Sequence, residues 1–297
     1  DIMMYYTYSE GFRPPVTNRV GGVAASNQTG NFEGFRIPIY SLSDTLTNHE
    51  IGIKSTFMDN RVRLNATFYS SSIDNLQTSR FDSTNISFLV FTDNVGDAEI
   101  SGLDADFAWS AMDDLTITGA ISLLDSELTR INPEIQGIAP PVGSRLPYSA
   151  EFSGNLQAEY YFNISGAMDG YIRGGFSYTG DRMAGMLMDA YLHEDASHLI
   201  YGTGSGLTIQ READVFLGAG YPDRNGDVIP GGRYVHESYI LANISFGITK
   251  NDWSAELFIK NITDEHAALQ IDTQYLGAQV VTNRPREIGM RFSYDFF

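Results

Sequence analysis

Cysteine is absent from the 297 residues, which removes disulfide frameworks and thiolate metal sites from consideration. Basic residues are scarce: 19 Lys and Arg face 37 Asp and Glu, a net charge of −18 that argues against a nucleic-acid partner, because phosphate binding needs a basic surface. No apolar run reaches 18 residues, so a transmembrane helix is not expected. The opening "DIMMYYTYSE" lacks the basic start and long apolar middle of a signal peptide, so a secreted chain would be seen here mature or in part. Helical periodicity is also scarce. What is plentiful is glycine (29), phenylalanine (18) and tyrosine (17), an all-β composition.

Alternation with period two recurs along the chain. In "IGIKSTFMDNRVRLNATFY" (51–69) the apolar set Ile51, Ile53, Phe57, Val62, Leu64, Ala66 and Phe68 interleaves with polar residues across a break at Asp59-Asn60. That pattern predicts a hairpin. Similar sets follow at Leu103 to Trp109, Leu115 to Leu123, Phe152 to Phe162, Ile172 to Tyr178, Ile240 to Ile248, Trp253 to Ile259 and Ile288 to Phe296. A first strand near 2–9 is apolar on both sides, which leaves its facing open. The count is ten strands, each long enough to cross a bilayer when tilted.

The connections alternate without exception. Short turns are expected at 59–60, 113–114, 163–169 and 251–252, and long segments near 10–47, 75–98, 126–148, 180–237 and 262–284. In an antiparallel barrel this gathers every short turn at one end and every long loop at the other, the layout of an outer-membrane barrel. Trp109, Trp253, Phe57, Tyr160, Phe162 and Tyr171 lie near short turns, as an interfacial aromatic girdle would. The row Glu151, Ser153, Asn155, Gln157, Glu159 would be costly to bury in a dry core but not to expose to a wet lumen. The oily face is therefore read as facing lipid, and the polar face as facing water.

"YSEGFRPP" (8–15), the stretch 45–77, "NVGDAEISGLDADFAW" (94–109), "LPYSAEFSGNLQAEYYF" (146–162), "WSAELFIKNITDE" (253–265) and the terminal "PREIGMRFSYDFF" together resemble the C-terminal barrel half of TonB-dependent outer-membrane receptors. Two departures are Phe297, one residue out of phase with the alternating set, and Thr263, where an aromatic is more usual. The resemblance implies an all-β antiparallel transmembrane barrel of about ten strands here, residues 1–297 forming the C-terminal portion of a 22-stranded barrel whose plug lies outside this chain. It implies a non-enzymatic active transporter of the Gram-negative outer membrane. Such a transporter binds a scarce solute at extracellular loops, an iron–siderophore complex first, oligosaccharide or cobalamin otherwise. Its partners would be the TonB–ExbB–ExbD complex, acting through the missing plug, together with lipopolysaccharide and outer-membrane lipid.

Each candidate site has a plainer reading beside it. Asp223, Asn225 and Asp227 place oxygen ligands at alternate positions, as at the start of a calcium loop, but Val228 and Tyr234 stand where glycine and an acid are wanted, so a surface turn is the plainer reading. His193 and His198 flank Glu194 and Asp195 in the longest loop without a third ligand at metal spacing. The longest loop also mixes Arg182, Arg211, Arg224 and Arg233 with tyrosines and is expected to meet the ligand. "FRPP" (12–15) is followed by no histidine before His49, which argues against haem. Asp104 and Asp106 share one strand face and raise the alternative of a ten-stranded outer-membrane protease, yet they lie toward the short-turn end, away from the extracellular rim, and read as lumen charges. A passive porin is the other rival.

Overall fold

The structure is a computed structural model that describes residues 1–18, 38–82, 89–133, 142–183, 221–222, 228–229, 235–272 and 279–296. The strands run in chain order as β1 (Ile2–Arg13), β2 (Asp44–Phe57), β3 (Val62–Asp82), β4 (Leu89–Met112), β5 (Leu115–Ile131), β6 (Phe152–Ser165), β7 (Met168–Thr179), β8 (Arg182–Met183), β9 (Tyr221–Pro222), β10 (Val228–Ile229), β11 (Val235–His236), β12 (Tyr239–Lys250), β13 (Trp253–Lys260), β14 (Ala268–Asp272), β15 (Gln279–Thr282) and β16 (Glu287–Tyr294). Ten of them form one antiparallel sheet in the order β1-β2-β3-β4-β5-β6-β7-β12-β13-β16. Among the described residues β1 pairs only with β2 and β16 only with β13, so the sheet is open at both edges.

Directly paired residues in a sheet share a face, so the register tests the face assignment. Phe68 pairs with Leu103, Leu103 with Leu123, and Leu123 with Phe152. Lower down, Val62, Trp109, Ile117, Ala158, Gly174, Ile244, Ile259 and Ile288 form one unbroken row. Every apolar set predicted from alternation falls on this one face. The register also settles β1: Met4 lies opposite Ile53 and Tyr6 opposite Ile51, so Ile2, Met4, Tyr6 and Tyr8 face outward and Met3, Tyr5 and Thr7 inward. One girdle residue is corrected. Tyr171 pairs with Tyr161 and Gly247 on the polar face, so it is a lumen residue and not an interfacial one.

The short turns stand at one end, as the unequal connections required. The first is longer than a two-residue break: Met58, Asp59 and Asn60 all take positive φ (57°, 54°, 66°), and the Arg61 amide donates to the Met58 carbonyl at 3.1 Å. Aspartate and asparagine tolerate this region, whereas Met58 does so because the turn imposes it. The third turn is tighter than 163–169, since β6 runs to Ser165 and only Gly166 (φ 51°) and Ala167 lie between the strands.

At the other end the segments read as loops are partly sheet. Pairing of β3 with β4 continues to Asp82 and Leu89 through register shifts at Ile73/Leu76 and Leu76/Gln77, and β5 continues to Ile131. Above Leu103 and Leu123 the outward face turns polar, with Ser70, Ser101 and Asp125 and then Ser72, Glu99 and Glu127 in register. That change marks the upper limit of the apolar belt. Over the inward face at this level Val95, Ala98, Leu128 and Leu146 form a small dry core, closed by Ile73, Leu76, Ile100 and Ile131.

Candidate functional site: the polar wall and the loop roots

The inward face is a wet wall built by the second half of each alternating pair. Across β6, β7, β13 and β16 its charges satisfy one another. Glu159 pairs with Arg173 and accepts from the Tyr161 hydroxyl at 2.7 Å; Glu256 accepts from Arg291 at 2.9 Å; Lys260 reaches Glu287 at 3.3 Å. Arg173 lies 5.2 Å from the Tyr171 ring centre and Lys260 4.8 Å from that of Phe258. Four inward aromatics, Tyr5, Tyr69, Tyr171 and Phe258, each lie across a facing glycine (Gly52, Gly102, Gly247, Gly289), in the space a Cβ would need. With no side chain beneath them the rings lie against the wall instead of projecting, which keeps the lumen open. A groove of about 430 Å³ runs along this wall past Asn155, Gln157, Arg173, Asn243 and Lys260.

The roots of the long loops are held by side chains where the strand ladder has ended. Asp44 is buried and accepts from the Arg13 guanidinium, the Arg13 amide at 3.2 Å and the Gln77 amide at 3.1 Å. Gln77 Nε2 donates to the carbonyls of Pro14 (3.0 Å) and Leu42 (2.7 Å), and Asn94 both accepts from and donates to the main chain of Leu42. Asn18 does the same for Thr92. This clasp ties 14–18 and 38–44 to the β3–β4 hairpin. Burial alone would raise the Asp44 carboxyl, but the Arg13 guanidinium and the two amides outweigh it and hold it below the usual carboxylate range. Beside it Asp97 is held down first by Arg130 (2.5 Å) and further by the Asn75 amide.

Two more roots stand further along the wall, after β7 and after β13. β8 pairs with β11, which places His236 against the Tyr148 ring (5.7 Å between centres) and near Arg182. Burial, and then the Arg182 charge, push its imidazole down. After β13 the segment "KNITDE" forms a knot. Asn261 (φ 49°) is buried, its Nδ2 donating to the carbonyls of Glu265 and Arg284 and its Oδ1 accepting from the Glu265 amide, while Arg286 reaches Asp264 at 3.6 Å.

The residues singled out in the sequence separate cleanly. Asp104 and Asp106 do share the inward face: Asp106 accepts from Asn65 (3.1 Å) and stands 3.8 Å from Arg63, while Asp104 faces Thr67 and Ser122 in the register. Among the described residues no histidine joins them, and His49 points outward against Tyr6 and Tyr8. In "FRPP", Phe12 is exposed on the outer face and Arg13 forms the clasp. Asp223, Asn225 and Asp227, and also His193, Glu194, Asp195, His198, Arg211, Arg224 and Arg233, lie outside the described residues. Among the described residues no group of three or more metal-ligating side chains converges. Sequence reasoning missed the clasp and the knot; their only signal was Asp44 and Asn261 at strand ends, with Gln77 and Asn94 paired within the upper β3–β4 ladder.

An open antiparallel wall with an apolar belt on one face and a wet face on the other is the wall of a transmembrane β-barrel. A family model described as "TonB dependent receptor-like, beta-barrel" matches residues 1–262, and the chain belongs to that family. The family's barrels reside in the Gram-negative outer membrane, and so does this one. Among solved structures the chain is similar to the ferric yersiniabactin uptake receptor FyuA from Yersinia pestis, with a TM-score of 0.63 at 13% identity, covering 100% of this chain and 35% of that one. It is also similar to the siderophore receptor PiuA from Acinetobacter baumannii (TM-score 0.60, 15% identity, 99% and 34%) and to the ferric-catecholate import receptor Fiu from K12 E. coli (0.59, 16%, 97% and 32%). The chain spans about a third of the length of these receptors.

Proposed function

We propose that this chain is the C-terminal part of the wall of an outer-membrane importer that captures a scarce solute outside the cell and admits it to the periplasm past a plug, which belongs to another part of the protein. The observation that carries the reading is the open ten-stranded wall of a receptor-family barrel with a satisfied polar inner face. FyuA is named a ferric yersiniabactin uptake receptor, PiuA a siderophore receptor and Fiu a ferric-catecholate import receptor, which supports a ferric siderophore as the solute. The clasped loop roots supply rigid footing for a binding surface above the lumen. Energy would come from TonB–ExbB–ExbD through the plug, and the chain itself performs no chemistry.

The test is uptake of radioactive iron by cells carrying the full-length gene, supplied in turn with hydroxamate, catecholate and mixed-ligand ferric siderophores. Uptake that needs both this gene and TonB is the expected result. Uptake independent of TonB, with steady conductance of the purified protein in planar bilayers, would make it a passive porin instead.

A further inference from the structure

The polar wall is uneven along the sheet. On β5 the lumen-facing residues Thr116, Thr118, Ala120 and Ser122 are all small and uncharged, from the short-turn end to the upper limit of the belt. They cover about 20 Å at the usual strand rise. Their partners on β6 continue the surface: Ser122 pairs with Ser153, Ala120 with Asn155 and Thr118 with Gln157. Ser153 and Asn155 pair in turn with Thr179 and Ser177 on β7. A hollow of about 450 Å³ lies over the upper rows, edged on β4 by Asp104 and Asp106.

Fixed charge flanks this lane on both sides. Arg63 stands beside Asp106 toward β3, and the pairs Glu159–Arg173, Glu256–Arg291 and Lys260–Glu287 run from β6 to β16. β12 is uncharged toward the lumen as well, but it offers no second lane. Its Ser245 pairs with Arg173 and its Gly247 with Glu256, and the Tyr171 ring lies across that glycine.

A solute crossing a crowded lumen has to exchange its contacts at every step. Over an ion pair it must strip water from two charges or part them, and both are costly. Over hydroxyls and amides it trades one neutral hydrogen bond for another of similar strength. Passage needs contacts that hold weakly and repeat. The rows of β5, β6 and β7 are of that kind.

We infer that this lane is the track along which the solute passes the wall, and that the ion-paired wall from β12 to β16 lies off its path. The inference rests on the importer reading above and adds the route.

The test uses the full-length receptor with any cysteine outside these 297 residues replaced, since they contain none. Ser122→Cys and Ser153→Cys set a thiol in the lane, and Ser245→Cys and Ser254→Cys set one on the ion-paired wall. Cells with and without TonB receive a membrane-impermeant maleimide together with ferric hydroxamate, catecholate and mixed-ligand siderophores. Labelling of the lane pair should rise several-fold only when siderophore and TonB are both present, and labelling of the other pair should not change. Ala120→Arg lays a long charged side chain across the lane beside Asp106. Siderophore binding to chilled, de-energised cells should be unchanged in this variant. Its uptake should fall about tenfold, as a barrier about 1.4 kcal/mol higher would give. Ala120→Ser should keep full uptake, and a heat-modifiable gel band confirms that each variant has folded. Uptake without a rise at the lane pair, an equal rise at all four thiols, or unimpaired uptake by Ala120→Arg would overturn the route and leave the importer reading standing. Absence of TonB-dependent uptake of every siderophore by the wild type would overturn both.

Discussion

Side chains one position apart on the same strand of this wall live in different solvents. Leu257, 57% exposed on the outer face, meets hydrocarbon, whereas Glu256 faces the lumen. Leu257→Arg is expected to destabilise the barrel by roughly 2–4 kcal/mol in urea titrations of the full-length receptor in lipid vesicles, if it sits near the midplane. Glu256 is not the neutral control its facing suggests, because it holds Arg291 and only 13% of its side chain is exposed. Gln157→Arg, on the exposed inner wall, is the proper comparison and should cost far less. Equal losses would refute the face assignment. Asn261 offers a second residue-scale test. Asn261→Ala leaves the main-chain partners of the knot unpaired and keeps a Cβ at positive φ, so it should lose about 1–3 kcal/mol in the same titration. Asn261→Gly loses the same hydrogen bonds without the conformational penalty and should lose about 1 kcal/mol less. The face of Leu257 was legible in the sequence because period two reports it directly. The role of Asn261 was not, since a single asparagine at a strand end has no periodicity.

At the scale of elements, the bilayer decides what could be read in advance. Where lipid covers one face, alternation is pronounced, and the strands stand where the pattern put them, with short turns between them whose bounds shift by a few residues. Above the belt both faces of β3, β4 and β5 meet water or loop, so alternation fades while the main-chain ladder continues. The segments 75–98 and 126–148 therefore read as loop and proved to be partly strand. Their bulges and side-chain clasps depend on partners distant in sequence, such as Asp44 with Arg13 and Gln77. Both roots weaken on acidification, but in different pH windows. The Asp44 carboxyl is lowered in the fold, so its contribution is present above the unfolded value near 4 and is lost as pH falls through the folded value. His236 is lowered as well, but for an imidazole this favours the neutral ring. The β8–β11 root is thus at full stability above the unfolded value of about 6.5 and weakens as pH falls below it. Amide protection factors in the full-length receptor, corrected for the intrinsic pH dependence of exchange, should fall at 182–183 and 235–236 between about pH 7.5 and 5.5, with those of residues 16–18 and 42–44 unchanged over that window. Loosening of the 42–44 clasp before the His236 root would contradict both assignments.

For the whole molecule the decisive feature is the pair of free edges. β1 and β16 each present a row of main-chain N–H and C=O groups with no partner strand among the described residues. Hydrocarbon cannot satisfy such a row, and membrane barrels avoid the cost by closing. A ten-stranded barrel of the protease kind would close β1 onto β16, and the sheet does not do so. The open wall instead matches about a third of the receptors it resembles, which leaves room for further strands between its edges. Two outcomes follow for the chain expressed and refolded by itself. It should give no heat-modifiable band on cold gels and no protease-resistant core in vesicles, because its edges remain unpaired. The full-length receptor should give both, and protease added to intact cells should cut within 180–237 and spare 58–61, 113–114 and 251–252, since long loops lie outside. A stable, heat-modifiable barrel from the 297 residues alone would mean that β1 does find β16, and would restore the ten-stranded protease, with Asp104 and Asp106 facing its lumen, as the reading to pursue.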